Sequence, residues 1–100
     1  MSIDLATVTK QTFDAHVGSR FAMRIDAERT IDLELVETGT IPTRPDASRA
    51  GFSLRFRAAE RGHVPQRIYL LEHAVLGSLE IFLVPAGPDE IGMRYDAVFS

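Results

Sequence analysis

In Phe52-Ser53-Leu54-Arg55-Phe56-Arg57 every second side chain is large and apolar, and every residue between is polar. Only an extended strand sends successive side chains to opposite faces, so this spacing describes a strand that buries one face and wets the other. The period recurs in Phe21, Met23 and Ile25, in Ile31, Leu33 and Leu35 around Asp32 and Glu34, and in Tyr95, Ala97 and Phe99. The short polar link Asp26 to Arg29 joins the first two of these runs and predicts a hairpin. A chain patterned in this way is mainly β.

Two further runs have strand composition but are apolar on both faces, Arg67 to Glu72 and Leu79 to Val84. Such strands are expected to be covered on both sides, by a second sheet, a helix or a partner. The connections carry turn chemistry: Arg61 to Pro65, His73 to Gly77, and Pro85 to Asp89. Thr38 to Gly51 has no periodicity and reads as a long loop. Before the strands, Thr9 to Val17 predicts a short helix, capped by Thr9, with Phe13 and Val17 as its apolar stripe and Gly18 as its stop. It is too short to stand alone and must pack on the sheet. The expectation is one domain over residues 1–100, a small six-stranded antiparallel barrel or sandwich with one short N-terminal helix. Closure would remove the exposed strand edges of an open sheet.

One hundred residues with 45% hydrophobic content form one core, with little room for a deep cavity besides. There is no cysteine, which excludes disulfides and thiolate chemistry. The start lacks the basic and apolar regions of a signal peptide, and the longest apolar run, Ile81 to Ala86, is far short of the ~20 residues of a membrane span. These features predict a soluble cytoplasmic protein without a membrane partner. Net charge is −3, which disfavours nucleic acid. Phe and Arg alternate around residue 55, so rings and guanidinium groups fall on opposite faces and make no base-stacking platform.

The charge is nonetheless uneven, with six arginines between Arg44 and Arg67 against Asp46 and Glu60. Arg44, Arg49, Arg55, Arg57 and Arg67, with His73, form the candidate binding surface, since guanidinium groups grip carboxylates and phosphates. The competing reading is that these arginines pair with acidic residues on adjacent strands. Catalytic and metal patterns find no match. His16, His63 and His73 have no paired ligand spacing, and His73 reads as a turn residue whose ring bonds to backbone. Ser53 and Ser78 lie in no nucleophile elbow, and Asp32/Glu34 and Asp89/Glu90 read as solvated pairs. No cofactor is expected.

Several matched segments run together: Phe52-Ser53-Leu54-Arg55-Phe56, Pro65-Gln66, Tyr69, Glu72-His73, Leu76-Gly77, Phe82-Leu83-Val84-Pro85, Gly87-Pro88 and Tyr95-Asp96-Ala97-Val98-Phe99. In these the chain resembles a family of bacterial proteins of about this length, grouped as a domain of unknown function. The resemblance spans nearly the whole chain and is strongest from Phe52 onward. It implies a fold rather than a chemistry, and it implies an accessory role in an assembly, beside phage-tail-like collar proteins. The expected function is a non-catalytic interaction or structural module with a protein partner or with itself. The alternative is a small barrel that binds an anionic ligand through its arginines.

Overall fold

The computed structural model of the protein describes residues 8–41, 51–58, 65–88 and 92–99. It contains α1 (Lys10–Asp14), β1 (Arg20–Arg24), β2 (Thr30–Thr40), β3 (Phe52–Ala58), β4 (Arg67–His73), β5 (Gly77–Pro88) and β6 (Met93–Phe99). The period-two runs fall where alternation places them. In β3 the apolar positions Phe52, Leu54 and Phe56 are almost fully buried, and the residues between them are half-buried. The strands pair antiparallel in the order β1-β2-β3-β6-β5-β4, and β4 returns to β1 to close a barrel. Of the two architectures that the pattern allows, closure is the one adopted.

The inward faces meet in one core that includes Phe21, Met23, Leu35, Phe56, Tyr69, Leu71, Leu83 and Tyr95. No polar or charged residue is buried among the described residues. The helix packs at one end of the barrel. Phe13 is fully buried there, with its ring centroid 5.9 Å from those of both Phe52 and Phe99, and the latter two stack at 4.7 Å. A hydrogen bond from the Thr38 hydroxyl to Asp14 ties α1 to β2.

Three segments depart from the sequence-based expectation. The helix is five residues long and gives way to turns at Ala15, which run to Gly18 at φ +92°. The bonds from His16 and Val17 N–H reach back only three residues, and Val17 is 47% exposed, so Phe13 is the buried apolar anchor of the helix. Strand β2 continues through Thr40, within the segment read as a loop, because a bulge between Leu35 and Glu37 resets its register. Residues 42–50 of that segment lie outside the described residues.

The third departure is at Pro85 to Pro88, which is strand rather than turn. Strand β4 ends opposite Leu83, so β5 pairs beyond that point only with β6, and a bulge between Pro85 and Gly87 absorbs the irregular backbone. Proline is tolerated at such a half-paired, bulged stretch, where its missing N–H sacrifices little. Gly87 sits at φ +95°, which a glycine adopts without strain. The other two turns predicted from sequence divide. His73 to Gly77 is the tight β4–β5 connection, with Gly77 at φ +81°, whereas residues 61–64 lie outside the described residues.

Candidate functional site

Among the described residues, the candidate arginines do not gather into one surface. Arg44 and Arg49 lie outside the described residues. Arg55 projects from the outer face of β3, aligned in register with Glu37 of β2 and Asp96 of β6. It donates to Asp96 at 3.0 Å and lies 3.8 Å from Glu37, and these carboxylates, Asp96 first, raise its already high pKa. An anion arriving here would meet two negative groups already in place. Arg57 is the next outward residue of β3, between Glu34 and Arg94 in register. Arg67 belongs to β4, which is separated from β3 by β6 and β5 on one side and by β1 and β2 on the other. Its guanidinium lies over the Tyr69 ring, 4.6 Å from the centroid, and donates to the Ile25 carbonyl at 2.8 Å. Arg55 and Arg67 thus serve neighbouring groups in their own chain.

His73 stands at the opposite end of β4 from Arg67 and organises the turn that follows it. Its Nδ1 accepts the backbone N–H groups of Val75 and Leu76 at 3.0 and 3.1 Å. That nitrogen therefore carries the lone pair, and Nε2 carries the proton. Nε2 lies 3.0 Å from Ser19 Oγ, which in turn donates to the His16 carbonyl at 2.6 Å. The His16 ring meets the His73 ring edge-on at 4.7 Å, and Phe21 packs on the other ring contact at 4.4 Å. This serine–histidine pair, which no local spacing in the sequence marks, has the proton arrangement opposite to that of a nucleophile and its base. A base must offer Nε2 as an acceptor to the hydroxyl. Here the imidazole donates, and its other nitrogen is occupied by backbone.

Burial, and after it the neighbouring His16, hold the His73 pKa below the ordinary imidazole value. As pH falls through about 6.5, the unfolded chain therefore takes up this proton before the folded chain does. Stability from His73 is complete above that point and declines below it, until the folded form is protonated too. Denaturant unfolding should show a lower midpoint at pH 5.5 than at pH 7.5, with a slope bounded by the ~1.4 kcal/mol per pH unit that one proton supplies. In His73→Gln this part of the slope should vanish. An unchanged slope would assign it to other groups.

The remaining unusual surface is apolar. Strands β4, β5 and β6 send alternate residues outward, and there Ile68 is 63% exposed, Phe82 51%, Val84 37% and Val98 66%. Ile68 and Phe82 face each other across β4 and β5, and Val84 follows Phe82 on the same face. Val98 is two residues beyond Asp96, the partner of Val84, and it pairs on its other side with Ser53, which pairs with Gly39. Beside this ridge, Gly39, Ser53, Val98 and Arg55 help to line a shallow hollow of about 110 Å3. The outer faces of the two strands that read as apolar on both sides are thus left uncovered by any described element.

A family model for a domain of unknown function, DUF6916, matches residues 8–99, which is nearly the whole chain. The chain belongs to the DUF6916 family. Comparison with curated proteins and with solved structures gave no match. Membership of DUF6916 agrees with the resemblance drawn from the Phe52-to-Phe99 segments, and many of those positions are now seen to be barrel-core or bulge residues.

Proposed function

We propose that the protein is a non-catalytic interaction module that docks onto a protein partner through the outer face of β4, β5 and β6. The observation that carries this reading is the exposure of Ile68, Phe82, Val84 and Val98 together on adjoining strands. Exposed apolar side chains are ordinary when scattered, but a contiguous group of several hundred Å2 is characteristic of an interaction site. The alternative of an anion-binding barrel is less well supported, because among the described residues Arg55 is the one candidate arginine lining the hollow and it is already paired with Asp96. The orientation of the Ser19–His73 pair also favours a structural role at that end of the barrel.

The reading is tested by size-exclusion chromatography of native cell extracts. The chain should elute well above its 11.1 kDa mass. The double variant Ile68→Ser, Val98→Ser changes only exposed positions, and it should shift toward the free-chain volume while its thermal transition is retained. Elution of the unaltered chain at its own mass would remove the basis for an interaction module.

A further inference from the structure

We propose that His73 is an acid-released latch, which holds the β4–β5 turn and the α1–β1 connection together at one end of the barrel. The inference is independent of the docking reading above and starts from how the imidazole is bonded. Tyr69, Leu71 and His73 are the inward positions of β4, so the half-buried ring of His73 ends that row at the mouth of the core. Its Nδ1 accepts the N–H groups of Val75 and Leu76, and its Nε2 donates to Ser19 Oγ. Both nitrogens are thus committed, one as acceptor and one as donor. A second proton can go only to Nδ1, where it would face two N–H groups with no lone pair between them. Protonation of the ring therefore requires both turn bonds to break.

No described carboxylate packed against the ring is free to hold the new charge in place. His16, in the turn after α1, meets the ring edge-on and can itself become a cation. Phe21 of β1 packs on it and is uncharged, and Gly77 and Ser78 are the β5 residues at this end. The acids of these elements are engaged elsewhere: Asp14 with Lys10 and Thr38, Asp32 with Arg20, and Glu72, on the outward face of β4, with Arg24. The latch sits where two ladders end, at His73 with Gly77 and at Ala22 with Glu72, so the barrel can stay closed while it opens. Opening frees Leu76, which is 8% exposed and donates one of the two broken bonds. It also uncovers the fully buried Phe21 ring, on which the imidazole rests.

The experiment is amide hydrogen exchange of the full chain, followed by NMR from about pH 7.5 to about pH 4.5 and expressed as protection over the intrinsic rate. Below about 6.5, the ordinary imidazole value, protection of Val75 and Leu76 should fall about tenfold per pH unit. Amides of the β3–β6 ladder should remain protected at the pH where that of Val75 and Leu76 is gone. The His73 ring nitrogens should pass from one proton to two over the same range. His73→Asn keeps an acceptor for the turn, because an asparagine side chain bonds the N–H two residues on, yet it does not titrate. In that variant Val75 should stay protected throughout. Protection at Val75 and Leu76 that persists across the whole range overturns the latch. Protection lost only in step with the β3–β6 ladder overturns it as well, since the event is then global unfolding. A His73→Asn chain that still loses protection at Val75 on acidification places the titrating group elsewhere and overturns the role of His73.

Discussion

Deleting Tyr95 to Ser100 should leave a chain with no cooperative unfolding transition. Strand β6 stands between β3 and β5, and its ladder with β3 runs from Met93 to Phe99. The deletion removes Tyr95, fully buried, Ala97, 2% exposed, and Phe99, which packs on Phe13 and Phe52. It also opens the ring between β3 and β5, leaving backbone groups of both strands without partners. One buried aromatic truncated to alanine typically costs about 3–5 kcal/mol. Two rings together with a ladder of hydrogen bonds exceed the ~5–15 kcal/mol that holds a domain of this size. Deleting Met1 to Ile3 is the control and should change little. Denaturant unfolding of both deletions beside the intact chain decides the matter. If the C-terminal deletion kept a transition near the original midpoint, β6 would be dispensable and the barrel would not depend on closure.

Phe52→Ala should be the most damaging single substitution at the helix end of the barrel, lowering stability by about 3–5 kcal/mol. The ring is fully buried between Phe13 and Phe99 and stacks almost parallel to the latter, at an interplanar angle of 6°. Removing it leaves a void that the paired backbones of β3 and β6 cannot collapse to fill. It also takes away a principal contact of Phe13, through which a five-residue helix is held. Loss of helical protection in hydrogen exchange should therefore accompany the drop in global stability. Phe52→Leu, which keeps most of the volume, should lose less than half as much. An alanine variant within about 1 kcal/mol of the parent would mean that the aromatic trio is peripheral.

Much of this fold could be read directly from the chain. Alternation at Phe52, Leu54 and Phe56 and at Tyr95 and Ala97 is local, and it names both the strand and its buried face. Alternation fails where register shifts: Leu35-Val36 puts two apolar residues side by side, and the polar Thr38-Gly39-Thr40 that follows carries no apolar mark of a strand. Pro85 to Pro88 misled for another reason, because the same residues that make turns also make bulges on half-paired strands. The candidate site was legible only in part. The surplus of apolar residues in β4 and β5 is a sequence property, whereas the lack of a covering element among the described residues is visible only in the closed barrel. The meeting of His16, Ser19 and His73 depends on α1 and β4 reaching the same end of the barrel, and only the bonding of His73 to its own turn is local. Likewise, the described arginines of this stretch part, Arg55 and Arg57 on β3 and Arg67 on β4, and Arg55 finds carboxylates from both neighbouring strands.

The seam between β1 and β4 pairs Ala22 with Glu72 and Met23 with Leu71, positions half the chain apart. Hairpins such as β1–β2 and β4–β5 close over short loops and form early, whereas this seam must wait for the intervening strands to be in place. Until it shuts, β1 and β4 each present a free backbone edge, and Ile68 and Phe82 lie beside one of them. An open-seamed intermediate can then be sealed by the matching strand of a neighbouring molecule as readily as by its own. The order in which the ring closes, and the concentration at which the chain is made, therefore decide between a correctly closed barrel and an exchanged or aggregated one.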